Sequence, residues 1–252
     1  MATVIAIANQ KGGVGKTTTA INLSAALGAF EKRVLVVDCD PQGNASRGLG
    51  VRVERPHLYH VLAGECTAAD AILDTEFSGV SILPSDRELV GVEVELVGTE
   101  AWEQRLRSAL SDVLQSFDFI FLDCPPSLGH LTVNALAAAD RLLVPLQCEY
   151  FALEGISELV ATVRRVQSRI NPVLEIGGVV LTMFDERTNL SRDVADEVRR
   201  HFEGLVYEAI VPRNIRLAEA PSHGLPILQY DIKSRGAEAY LEVAREFLRR
   251  AA

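Results

Sequence analysis

No apolar run in this sequence approaches the ~18 residues that a membrane-spanning helix requires. Runs such as VLVV at 34–37 and VVL at 179–181 are far shorter, although the mean hydropathy is slightly positive at +0.15. The opening stretch, MATVIAIANQ, lacks a basic segment followed by a long apolar one and a small-residue cleavage site, so a cytoplasmic protein is expected. Cysteine is scarce: Cys39, Cys66, Cys124 and Cys148 stand 27, 58 and 24 residues apart. With no C-x-x-C pair and no histidine near them at ligand spacing, reduced thiols are expected. Repeats, low-complexity tracts and Pro/Ser-rich linkers are missing too, so residues 1–252 read as a single domain, with 50–78 its least regular part. An excess of positive charge is also lacking. The net charge of −9 argues against wholesale nucleic-acid binding, but the balance is uneven. Residues 1–159 carry 11 Lys and Arg against 21 Asp and Glu, a net of −10, whereas 160–252 carry 14 against 13, a net of +1.

What the sequence does have is rhythm. Short β-branched runs alternate with longer segments of helical period, the pattern of βαβ units. Strands are expected at 3–8, 33–38, 79–83, 118–123, 141–146, 176–182 and 206–211, and helices at 16–29, 100–116, 130–138, 153–170, 190–203 and 235–250. An apolar fraction of 48% supports a substantial core. The expected fold class is α/β, a single doubly wound, mostly parallel sheet with helices on both faces.

The first strand runs into NQKGGVGKTTT at 9–19, a glycine-rich turn opening a helix. Gly12, Gly13 and Gly15 allow backbone N–H groups to turn around phosphate oxygens, Val14 and Thr18 belong to the same cradle, and the helix N-terminus adds partial positive charge. Lys16 is expected between the β- and γ-phosphates and Thr17 on Mg²⁺. The loop departs from G-x-x-x-x-G-K-[ST] in one respect: Gln10 replaces the first glycine and is followed by an additional cation, Lys11. Acids fall where ligands bind in open parallel sheets, at the carboxyl ends of strands. VVDCDPQGN ends the second strand with Asp38 and Asp40, and IFLDCPPS ends the fourth with Asp123. Asp123, after its apolar run, is expected to hold Mg²⁺ directly or through water. D-P-Q-G is also a good β-turn string, and turn and function can coexist there. No N-K-x-D follows the sixth strand, where TMFD stands instead, which favours adenine over guanine and therefore ATP as the nucleotide.

KGGVGKTT, DCDPQGN and DCPPS together resemble the deviant Walker A family of P-loop ATPases. QCEYFALEG at 147–155, LTMFDERTNL at 181–190 and VPRNIRLAEAPSHG at 211–224 resemble its ParA/Soj chromosome-partitioning branch, and the likeness spans nearly the whole chain. The resemblance implies that Lys11 reaches across a homodimer to the partner's ATP, that Asp40 orients the attacking water, and that Asp38 supports the Mg²⁺ shell. It implies contacts from Glu149 to ribose or to the opposing Lys11, and from Met183, Pro212 and Asn214 to adenine. It further implies slow intrinsic hydrolysis, stimulated by a ParB-type centromere-binding protein, and non-specific binding to nucleoid DNA through Arg187 and Arg216. Arg164, Arg165, Arg192, Arg199, Arg200 and Arg213 lie near enough in sequence to add to that patch.

Two related families offer rival readings. A MinD-type membrane-cycling division regulator would use a C-terminal amphipathic helix, but the last helix carries Glu238, Glu242 and Glu246, which oppose an anionic membrane, and docking on the core is expected instead. An iron–sulfur reductase of the nitrogenase iron-protein type would need two cysteines at a dimer axis, and neither Cys39 nor Cys124 matches that pattern.

Overall fold

The apolar residues of the strands alternate between two cores, and this alternation places the helices. In the computed structural model, which describes residues 1–95, 98–149 and 152–251, Val4 and Ala6 of β1 (Thr3–Ile7) face one cluster while Ile5 and Ile7 face the other. The same holds in β5 (Phe119–Asp123), where Ile120 and Leu122 oppose Phe119 and Phe121. A sheet buried on both faces needs helices on both. The remaining strands are β2 (Val34–Asp38), the two-residue β3 (Leu73–Asp74), β4 (Val80–Leu83), β6 (Arg141–Gln147) and β7 (Glu175–Thr182). They form one seven-stranded sheet in the order β3-β4-β2-β5-β1-β6-β7, parallel except for the edge strand β3.

The helices are α1 (Lys16–Ala29), α2 (Asn44–Gly48), α3 (Leu58–Ala63), α4 (Ala68–Ala71), α5 (Val90–Glu95), α6 (Arg105–Leu110), α7 (His130–Ala138), α8 (Ala152–Arg169), α9 (Asn189–His201), α10 (Ile215–Glu219), α11 (Ile227–Tyr230) and α12 (Arg235–Ala251). Residues of α6 to α9 close one face of the sheet; α1 and α12 close the other. Tyr240, Val243, Ala244 and Phe247 of α12 are buried, with the Phe247 ring 5.1 Å from that of Phe119 and the Tyr240 hydroxyl 3.1 Å from Thr19 Oγ1. The apolar side of the last helix is therefore docked. Among the described residues, no helix is long and apolar enough to cross a membrane.

Two expectations need correction. The segment at 206–211 is not a seventh parallel strand but makes isolated bridges, Val179 to Val206 and Phe184 to Pro212. The cause is Glu246 of α12, whose carboxylate accepts from the backbone N–H groups of Glu208 and Ala209, each at 3.0 Å, so those donors are diverted from pairing. Glu246 is thus buried, and Glu238 and Glu242 are the exposed ones of the three acids noted on this helix. The expected helix at 100–116 is broken into a 3₁₀ turn at Trp102–Gln104, α6, and a second 3₁₀ turn at Ser111–Val113, in keeping with the weak helix propensity of Ser111 and Asp112. The irregular 50–78 region contains α3, α4 and β3.

Candidate functional site: a nucleotide cradle at the sheet's carboxyl edge

Residues 8–15 leave β1 at the centre of the sheet and are tied down from both sides. Asn9 is buried; its Nδ2 donates to the Pro145 carbonyl at 2.9 Å and its Oδ1 accepts from the Lys11 backbone N–H at 3.0 Å. Thr182, at the end of β7, donates its hydroxyl to the Val14 carbonyl at 2.8 Å. Gly13 and Gly15 take φ of 76° and 90°, the left-handed region that other residues resist, so the curve needs glycine at both positions. The Val14 side chain is buried, so only its backbone is on offer to a ligand.

Lys16 opens α1 and is 7% exposed, its ammonium donating to the Lys11 carbonyl at 3.1 Å. Burial lowers its pKa, while attraction from Asp123, Cys124 and Asp40 works the other way. Lys11 pairs with Glu149 of its own chain, both side chains being about one-third exposed. The additional cation is thus parked on an acid at the rim of the cradle.

Parallel pairing sets Asp38 of β2 directly beside Asp123 of β5. Asp123 is fully buried and neither of its oxygens has a hydrogen-bond partner. Burial, with the nearby Asp38 charge, pushes its carboxyl well above the usual carboxylate range; Thr17 and Lys16 oppose the rise. An orphaned carboxylate next to a threonine hydroxyl is an oxygen-only donor set of the kind that suits a hard cation such as Mg²⁺. Asp38 is otherwise engaged: its Oδ2 accepts from the Ser46 N–H at 2.8 Å and the Ser46 hydroxyl at 2.7 Å, and its Oδ1 from the Asp40 N–H at 3.3 Å. Burial still raises it to about 6. Asp40 stands in the loop that these bonds shape. Its Oδ1 accepts from the Gln42 N–H at 2.9 Å, and its carbonyl accepts from the Ser85 hydroxyl at 2.7 Å.

Two cavities of 310 Å³ each adjoin across Gly15, Thr18 and Met183. The first holds Gly12, Gly13, Lys16, Thr17 and Asp40. The second is apolar and brings Met183, Pro212 and Asn214 together with Val211 and Tyr240. Met183 adopts φ of 49°, a left-handed conformation that costs energy for a side chain of its size and that lies where the two cavities meet. Of the residues singled out for phosphate, metal and base, Gly12, Gly13, Gly15, Lys16, Thr17, Thr18, Asp40, Met183, Pro212 and Asn214 line these two adjoining cavities, whereas Lys11, Val14, Asp38, Asp123 and Glu149 do not.

The arginines chosen for DNA sit elsewhere and are not free. Arg187 grips Asp185 with Nε at 2.8 Å and Nη2 at 2.7 Å, and Arg216 contacts Glu219 at 2.9 Å and Asp231 at 3.5 Å. Arg187 and Arg213 line one surface hollow along with Arg235, which itself pairs with Glu186 at 3.1 Å. Cys39 and Cys124 are buried, out of reach of a cluster bridged between subunits. Tyr150 and Phe151 of the 147–155 string fall outside the described residues. Sequence reasoning missed Ser46, Ser85 and Thr182. The first two carried no local signal, because Ser85 meets its partner Asp40 across 45 residues; Thr182 had one, its place at the carboxyl end of a strand.

The model of the AAA domain family matches residues 2–176. The chromosome partitioning protein ParA of Caulobacter vibrioides is 54% identical over 251 residues, 98% of this chain and 94% of that protein. The sporulation initiation inhibitor protein Soj of Bacillus subtilis is 53% identical over 249 residues, 98% of each. A solved structure of cobyrinic acid a,c-diamide synthase from Mycobacterium smegmatis, with bound ADP and magnesium, superposes with a TM-score of 0.88 at 38% identity, covering all of this chain and 96% of that one. Cradle, acids and overall likeness agree: the chain belongs to the AAA domain family and, within it, to the ParA/Soj chromosome-partitioning ATPases.

Proposed function

We propose that this chain binds ATP with Mg²⁺, dimerises around it, holds DNA without sequence preference as the dimer, and releases it when hydrolysis is triggered by a ParB-type centromere-binding partner. The observation that carries the nucleotide reading is the orphaned Asp123 carboxylate beneath a glycine cradle whose first helical residue is a buried lysine. Backbone N–H groups of residues 12–18 and the N-terminus of α1 take the phosphates, and Lys16 exchanges the Lys11 carbonyl for phosphate oxygens. Bound Mg²⁺, held by Thr17 and Asp123, would neutralise charge on the phosphates. Asp38 acts from behind, holding Ser46 and the loop that carries Asp40. Asp40 orients the water for attack on the γ-phosphate, and Met183, Pro212 and Asn214 receive the adenine.

Lys11 is the switch in this scheme. Glu149 neutralises it in the single chain, and a second triphosphate is the polyanion able to draw it away. Dimerisation doubles the cations offered to a duplex, so phosphate contacts that are weak singly become effective together. Arg187 and Arg216 must trade acids of their own chain for DNA phosphates, which makes that binding weak and salt-sensitive. The protein would accordingly be cytoplasmic and nucleoid-associated.

The decisive experiment is binding to random-sequence duplex with ADP, ATP and a non-hydrolysable analogue at two salt concentrations. Binding with ATP and the analogue but not with ADP, falling steeply with salt, is expected; equal binding in all three nucleotide states refutes the switch.

A further inference from the structure

A second cluster of ligating side chains lies behind the loop that carries Asp40, outside the nucleotide cradle. His57 precedes α3 and His60 sits in its first turn, three residues on, so both imidazoles share one end of a short helix; Asp86 and Glu88 come from the segment that follows β4. His57 is 1% exposed and neither of its ring nitrogens completes a hydrogen bond. Its Nε2 lies 3.3 Å from Glu88 Oε2 and 3.4 Å from Asp86 Oδ1. Ligand atoms of His57, His60 and Glu88 all lie within 4.8 Å of one another.

These separations carry chemical meaning. Tetrahedral zinc with bonds of 2.0–2.1 Å to nitrogen and oxygen sets its ligand atoms ~3.3 Å apart. The three atoms from His57, Glu88 and Asp86 already stand at that spacing on two of their edges. His60 Nδ1 accepts a long bond, 3.3 Å, from the His57 backbone N–H, weak enough for coordination to displace. Arg55 holds Glu88 Oε1 at 2.5 Å, fixing the carboxylate with Oε2 turned to His57.

We propose that His57, His60, Glu88 and Asp86 form a binding site for a divalent transition metal of the zinc class. Two imidazoles with carboxylates select such an ion over Mg²⁺, which requires an all-oxygen shell. The site is coupled to the nucleotide loop by one residue: Ser85, next to Asp86, donates its hydroxyl to the Asp40 carbonyl and its N–H to Ser46 Oγ at 3.2 Å. Metal binding would stiffen the anchor from which Asp40 hangs.

Co²⁺ titration of the full chain without nucleotide, in excess Mg²⁺ and in a Cys66→Ser background, tests this directly. The expected result is one equivalent bound, with the intense visible bands of a low-coordinate cobalt site, displaced by Zn²⁺. Glu88→Gln and His60→Gln should each weaken binding by more than about tenfold. Glu88 is exposed, so its variant keeps the fold, which far-UV circular dichroism confirms. Bands that persist unchanged in both variants, or no saturable Co²⁺ binding, would overturn the proposal.

Discussion

Replacing Asp123 with Asn separates the cost of a buried carboxylate from its use. Asp123 is fully buried with no hydrogen-bond partner, and Asp38 stands across the strand register. Folding at pH 7 without a cation must either bury the charge or protonate a carboxyl whose ordinary pKa is 3.8. The second route caps the penalty at about 4 kcal/mol, from 1.36 kcal/mol for each pH unit between 3.8 and 7. Asparagine removes that penalty but leaves an amide unpartnered, which costs about 1–3 kcal/mol. The variant without ligand should therefore be the more stable at pH 7, by no more than about 3 kcal/mol, and for a chain of this size each kcal/mol raises the melting midpoint by about 2–4 °C.

The pH dependence has a definite sign. Because the folded carboxyl titrates above the unfolded one, the native state keeps a proton that the unfolded chain has already released. Wild-type stability consequently falls as pH rises above the unfolded pKa, until the folded pKa is passed. Asp123→Asn loses this slope, so the gap between the two proteins should narrow as pH is lowered towards the unfolded carboxyl's pKa and widen as it is raised, in thermal melts followed by circular dichroism. Adding ATP with Mg²⁺ should reverse the order, stabilising wild type and leaving the variant almost unmoved. A variant that melts below wild type at pH 7 without ligand refutes the reasoning, since it would mean that the carboxylate stabilises the resting fold.

Lys11→Ala should abolish the ATP-induced mass increase seen by light scattering, and an undiminished dimer would rule out the trans role. Asp40→Ala should still dimerise with ATP but release no phosphate, so it accumulates as a long-lived ATP complex; normal turnover would remove Asp40 from the chemistry. Arg187→Glu combined with Arg216→Glu should cut affinity for random duplex at least tenfold and flatten its salt slope, whereas unchanged affinity would place the DNA face elsewhere. Gly178→Ala sets a Cβ 2.4 Å from the Tyr207 ring at a φ of 156°, so a loss of about 1–3 kcal/mol is expected in chemical denaturation, with ATP binding spared. A neutral outcome would show that Tyr207 can move.

The sheet was legible wherever a strand is fully buried, because runs such as VLVVD and FIFLD have no polar face to blur the pattern. The cradle was legible because its glycines, lysine and threonine are consecutive in the chain. What stayed hidden depends on contacts between distant residues: Glu246 intercepting the backbone at 208–209, Ser85 holding Asp40, and Glu149 neutralising Lys11. No local pattern announces which of several acids on a helix turns inward, or which base a rim carboxylate will choose. Of the arginines expected to form a patch, Arg187 and Arg213 share one surface hollow, and the resident acids of Arg187 and Arg216, Asp185 and Glu219, carried no local signal.

The strand order has a mechanical consequence. The loop after β1 emerges at the middle of the sheet, with the acids supplied from β2 and β5 on one flank and the apolar base cavity from β7 and its neighbours on the other. An occupant of both cavities would act as a cross-brace between halves that otherwise meet mainly along β1. Amide exchange should therefore slow on both flanks at once when that brace is fitted, and quicken on both when its terminal phosphate is lost.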